Sequence, residues 1–217
     1  MNSITLNEDL SQLSLLVIFA AMGVFTLAFL VSGYHLSKAT SGKQQQASTV
    51  ERVGLALTVP ATLLLAAGVV MRAIAAQRVP WANLYEYSIT GSLFLMSVFF
   101  VSIRIREVRN LATFVQGFVL LVLGTATTLF YVEVKSLMPA LQNYWLVIHV
   151  LVAILATAFF SLAAALAVGY LLKGAKGKGL QKAMSIFPSA EKLEQLAYRF
   201  NIIGFILWSF TLIAGAI

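Results

Sequence analysis

Apolar runs alternate with short polar connectors along the whole chain. The runs fall at about 13–34, 53–71, 87–103, 111–131, 144–172 and 200–217, and none has Asp, Glu, Lys or Arg near its middle. A helix rising ~1.5 Å per residue needs ~20 apolar residues to cross a bilayer. Each run therefore predicts a transmembrane helix. The fifth is longer than a perpendicular span requires, so it should tilt or protrude. Pro60 inside the second predicts a kink rather than an opened backbone site. After Pro188, Ser189 is placed to cap a new helix, and Glu191 and Glu194 favour its positive end. Leu193, Leu196, Ala197 and Phe200 share one face, so this helix should run on into the sixth span.

The connectors carry the charge. Twelve of the fifteen basic residues fall in three alternate connectors: Lys38, Lys43 and Arg52; Arg104, Arg106 and Arg109; then Lys173, Lys176, Lys178, Lys182, Lys192 and Arg199. The opposite face keeps only Arg72, Arg78 and Lys135, with acidic Glu8, Asp9, Glu86 and Glu133. Lys and Arg concentrate on the cytoplasmic side of membrane proteins. The expected topology has six spans, the N-terminus outside and the basic connectors inside. The expected fold class is an all-α polytopic membrane protein, with residues 1–217 forming one transmembrane domain in the lipid bilayer.

Composition agrees. Of 217 residues, 60% are hydrophobic and 11% charged, and mean hydropathy is +0.90. Soluble domains are typically ~25% charged. The net charge of +7 thus reflects topology, and no nucleic-acid partner is expected. The absence of cysteine excludes disulfides, thiolate metal sites and a thiol nucleophile. The first charges, Glu8 and Asp9, leave no basic n-region, so the first run is a retained helix and not a cleaved signal. The run ending at Ile217 has no polar tail, which leads to the expectation of truncation at the C-terminus. The Lys173–Lys178 cluster lacks phosphate-loop spacing and reads as a solvated, headgroup-facing stretch.

Candidate chemistry gathers on the face expected to be outside. Leu137–Val150, LMPALQNYWLVIHV, holds one of two histidines. On a helix Gln142, Trp145 and His149 share a face, and His149 lies ~6–8 Å deeper than the interfacial Tyr144–Trp145 pair. A neutral imidazole there can ligate a metal, most naturally haem iron. It can equally be a structural histidine bonded to a neighbouring helix or to water. Below it Ala153, Thr157, Ser161, Ala165 and Gly169 recur at four-residue steps, a small-residue ridge suited to close helix packing. The second outer feature is Arg78–Ser88, RVPWANLYEYS. Pro80 and Asn83 suit a turn, Trp81 and Tyr85 suit the interface, and Glu86 faces the following span. Arg72 and Arg78 can pair with anionic carboxylates such as haem propionates, or simply anchor the interface by snorkelling. His35 belongs to the opposite membrane face and cannot share an iron with His149.

These two segments resemble the CcsA/ResC family (CcsB in actinobacteria) of System II cytochrome c biogenesis, within the wider haem-handling superfamily. RVPWANLYEYS is similar to its outer-loop signature and LMPALQNYWLVIHV to its PALQSYWL-IHV signature; the FPSAEKLEQLAYR stretch follows the family order. The resemblance implies a multi-pass protein of the bacterial plasma (inner) membrane whose functional face is outside, periplasmic. It implies haem export or presentation there, with haem b as transported substrate, for covalent attachment to apocytochrome c together with a ResB-like membrane partner. On this resemblance His149 is an axial ligand to haem iron, and Trp145, Gln142, Trp81, Tyr85 and Glu86 shape the site, with Arg78 or Arg72 as propionate partner. The family shares in a cytochrome c synthase complex. The chain ends where the family's tryptophan-rich WWD domain and second outer histidine would follow, which leaves enzymatic activity of this chain open. A small-molecule transporter and a structural subunit of a membrane complex are the alternatives.

Overall fold

In the computed structural model the described residues are 3–40, 44–105, 108–134, 144–174, 181, 184–185 and 187–216. Gln142 lies outside them, as do Lys43, Arg106, Lys135, Lys176, Lys178 and Lys182. The described residues form six long helices and no strand: α1 (Ser3–Thr40), α2 (Gln44–Ala76), α3 (Leu84–Ile105), α4 (Ala112–Leu129), α5 (Tyr144–Gly174) and α6 (Ala190–Gly215). All six are long and apolar enough to cross a membrane. Several extend past the predicted spans, since helical hydrogen bonding continues beyond the point where hydropathy falls. Thus α2 begins at Gln44 and not Val53, while α6 begins at Ala190, as expected after Ser189, and runs on through the sixth span. Ser189 caps α6, its side chain accepting from the Lys192 amide at 3.3 Å. α2 stays helical through Pro60.

Two antiparallel hairpins, α1–α2 and α5–α6, flank a central α3–α4 pair. In the first, the Ser14 hydroxyl donates to the Gly68 carbonyl at 2.7 Å. A Cβ on Gly68 would stand 2.6 Å from the Ile18 side chain, so glycine there lets α1 and α2 approach this closely. α4 lies on α1 through Phe29 against Gly117 and Met22 against Thr127. α3 meets α5 where the Tyr87 and Thr157 hydroxyls lie 3.1 Å apart. α6 packs chiefly on α5. The expected small-residue ridge is only partly the packed surface: Ala153 and Gly169 are buried, but Thr157 is exposed and turned towards α3, while Ala156, Leu162, Ala163 and Leu166 complete the buried face. The buried core runs through Phe25, Leu65, Met96, Phe99, Leu123 and Leu166.

Large apolar side chains remain exposed along every long helix, among them Leu16, Leu63, Val101, Leu121, Leu171 and Phe205. In water this would be an aggregation surface; in a bilayer it is the lipid contact. Polar groups inside are few. Gln116 on α4 is fully buried and donates to the Thr58 hydroxyl at 2.7 Å, and Thr58 in turn donates to the Gly54 carbonyl at 2.8 Å. The bundle therefore has two chemically distinct ends. One carries Arg72, Glu86 and His149; the other carries Arg104, Arg109, Lys173 and Arg199.

Candidate functional site

Local backbone geometry places the first cluster. α2 ends with Gln77 at φ 52°, in the left-handed region. The Arg78 amide donates to the Ala73 carbonyl and the Gln77 amide to that of Ile74, both at 3.2 Å. These paired bonds are a Schellman closure, completed here by Gln where Gly is usual. The turn sends Arg78 back towards α3. Asn83 caps α3, its Oδ1 accepting from the Glu86 amide at 2.8 Å. Thr90 donates to the Pro80 carbonyl at 2.8 Å and holds the turn down.

Glu86 is the centre of this arrangement and is fully buried. Its carboxylate accepts from Arg72 Nε at 3.2 Å, from Arg78 Nη1 at 2.6 Å and Nη2 at 3.3 Å, and from the Ala82 amide at 3.0 Å. Arg72 is also fully buried. Its remaining nitrogens donate to Ser11 Oγ on α1 at 3.0 Å and to the Val132 carbonyl beyond α4. Its guanidinium carbon lies 5.2 Å from the Tyr85 ring centroid and 5.8 Å from that of Tyr131, and the two rings meet edge to face at 5.2 Å. One arginine–glutamate pair thus ties four segments together: α1, the end of α2, the start of α3 and the chain that leaves α4.

This geometry corrects two expectations. Glu86 does not face the following span; it turns back to Arg72 and Arg78. Arg72 does not snorkel: it is fully buried, and every guanidinium nitrogen is bonded within the chain. Burial of a cation requires such pairing.

The second cluster lies where α5 and α6 meet. Trp145 Nε1 donates to the Ala214 carbonyl at 2.8 Å, and its ring lies 6.3 Å from Phe210. One turn on, the His149 ring packs on Gly215: a Cβ there would stand 2.8 Å from His149 Cε1. Among the described residues, His149 Nδ1 is buried without a hydrogen-bond partner. His149 lies roughly 12 Å along the axis from Thr157, where α5 meets α3, so the start of α5 extends past the α3 contact, as its length implied.

The structure thus joins Arg72, Arg78, Tyr85 and Glu86 in one cluster and Trp145 and His149 in another, both at the same end of the bundle. Trp81 lies in the turn between Arg78 and Asn83, its side chain half-buried. Ser11, Tyr131, Val132, Ala214 and Gly215 complete these clusters. They come from distant helices and carry no motif of their own; only the close approach that Gly215 permits is a signal a sequence could have offered.

Six membrane-length helices, with an internal ion-pair network and His149 at one end of the bundle, define an all-helical, multi-pass class of protein. The chain belongs to the cytochrome C assembly protein family, whose model matches residues 81–217. That stretch includes Trp81, Glu86, Trp145 and His149, and its function lies in cytochrome c biogenesis. No curated protein and no solved structure gives a significant match.

Proposed function

We propose that the chain presents haem at the outer, periplasmic face of a bacterial inner membrane, for attachment to apocytochrome c together with a ResB-like partner. In this reading the N-terminus is outside, and the basic end faces the cytoplasm, following the distribution of Lys and Arg. Haem b is the transported substrate and His149 an axial ligand to its iron. Bound haem supplies the vinyl groups that form thioether links to the thiols of the apoprotein.

The observation that supports this most is the seating of His149: its ring packs on Gly215 with Nδ1 turned into the protein, and among the described residues it makes no hydrogen bond, which leaves Nε2 as the nitrogen open to a metal. A metal-bound imidazole ordinarily gains from a hydrogen bond on its other nitrogen, which the described residues do not supply to Nδ1. Trp145, fixed by Ala214, offers an aromatic edge beside the ring. Trp81 and Arg78, at the turn that Glu86 holds, border the same end; Arg78, less buried than Arg72, is the better propionate partner. Arg72, Glu86 and Tyr85 act as scaffold for that turn.

The test is haem retention. The chain is co-expressed with a ResB-like partner, purified, and compared with His149→Ala by absorption spectrum and haem stain. Wild type should carry a Soret band that the variant loses, and added imidazole should restore it. Equal haem in both would remove His149 from the role. The shift of an axial-ligand band in His149→Cys would separate ligation from mere packing.

A further inference from the structure

Below His149, towards the basic end, α3 and α6 diverge over the face of α5. Both pack against α5, but their own contact is minor. Between them lies an open groove of about 740 Å³, floored by Leu155 and Phe159 of α5 and walled by Val98 and Val101 of α3 and Phe200 and Ile203 of α6. Its lining is almost wholly apolar. Its one charged member is Arg199.

The position of that arginine decides what the groove suits. Arg199 shares the basic end of the bundle with Arg104, Arg109 and Lys173, and it is the last charge before the charge-free run that starts at Phe200. Basic residues that close an apolar span lie at the headgroup level. A cation there is costly unless it meets an anion or water. Among the described residues Arg199 makes no hydrogen bond or ion pair; the acidic residues of its own helix, Glu191 and Glu194, lie nearer the helix start and do not reach it. Arg104, exposed in the last turn of α3, stands at the same end. The groove is therefore a long apolar slot opening sideways to lipid, with a guanidinium at its headgroup end.

We propose that this groove binds one anionic phospholipid, with an acyl chain lying between α3 and α6 and the phosphate on Arg199. The charge fits: a single negative headgroup meets a guanidinium unpaired among the described residues, and Arg104, Arg109, Lys173 and Lys192 stand at the same end. The shape fits as well, because a slot open to the bilayer cannot stay empty, and a flexible chain fills an irregular apolar slot without a polar penalty. A second depression, about 490 Å³ between α4 and α5 and lined by Phe114, Phe118 and Val168 among others, has no charged residue. It should take acyl chains without regard to headgroup and serves as an internal comparison.

The experiment is native mass spectrometry of the detergent-purified full chain with dioleoyl phosphatidylglycerol or dioleoyl phosphatidylethanolamine at equal concentration. Wild type should hold one phosphatidylglycerol more tightly, by roughly fivefold, as one arginine near the surface predicts. Arg199→Gln should abolish the preference and Arg199→Lys should keep it; Arg199 is exposed, and folding is checked by circular dichroism. Val98→Trp, which fills the slot, should remove the bound lipid whatever its headgroup. His149→Ala should change nothing here. Equal retention of the two lipids by wild type, or a preference that survives Arg199→Gln, overturns the proposal. So does a Soret band lost with Val98→Trp, which would make haem the occupant.

Discussion

Replacing Glu86 by Gln keeps the shape of the most buried acid in the bundle and removes its charge. Four hydrogen bonds converge on its carboxylate, three of them from two arginines. Arg72 is left fully buried with its counter-ion gone, and the new amide nitrogen is driven against guanidinium donors. At an effective dielectric of about 20, a unit pair ~4 Å apart contributes roughly 4 kcal/mol. Part of this is offset because a neutral residue no longer has to be desolvated. Breaking one side of a buried pair typically costs about 3–5 kcal/mol, and that range is the expected loss. In a domain of this size it corresponds to a fall in Tm of roughly 10 °C. The assay is thermal unfolding in a fixed detergent, read by circular dichroism and by loss of the monodisperse peak. The companion variants are Arg72→Met and the double Arg72→Met, Glu86→Gln. Since removing both charges leaves nothing unpaired between them, the double should recover part of the loss, with a coupling of at least ~1 kcal/mol. A Glu86→Gln shift below about 0.5 kcal/mol, or strict additivity with Arg72→Met, would refute the view that this pair ties the four segments together.

Other outcomes follow from single contacts. Gly215→Ala inserts a Cβ 2.8 Å from His149 Cε1; haem retention with the partner should fall severalfold while the protein stays folded, and unchanged retention would detach the imidazole from its seat on α6. Gln77→Gly should raise stability by about 0.5–1 kcal/mol, because a non-glycine residue in the left-handed region is strained, and a drop in Tm would show that the Gln77 side chain, bonded to the Ile74 carbonyl, matters more. Thr58→Val with Gln116→Met should be neutral to within about 1 kcal/mol, since the pair already leaves Gln116 Oε1 buried without a partner and replacing both members of a buried polar pair costs little; a large loss would reveal a water or ligand on that oxygen.

Much of this was legible from residue order. Charge-free runs of span length give the six helices, because a bilayer forces every backbone group into intrahelical bonds and every interior side chain towards apolarity. Ser189 as a cap, the length of α5 and the pairing of Trp145 with His149 on one face follow from helical geometry, which is local. The direction in which Glu86 points, the burial of Arg72 and the partners of His149 were not legible. Arg72 and Glu86 looked like interface residues because each stands near the end of an apolar run, where a charge usually meets headgroups or water. Whether it does depends on what the neighbouring helices bring, and Ser11, Tyr131 and Val132 are ordinary residues until α1 and α4 set them beside Arg72.

The sequence by itself therefore determined the class: a membrane bundle of six helices with a basic end and an opposite end that bears His149. Tertiary structure alone decided that one acid and two arginines form a closed internal network, that Gly215 seats His149 with an unbonded nitrogen, and that α3 and α6 part over α5 to leave a groove ending at Arg199. The physical reason is the range of the forces. Hydropathy and helical periodicity act within a few residues and are written in order along the chain, whereas a buried ion pair or a groove exists only once distant helices have fixed which groups meet and which surfaces are left uncovered.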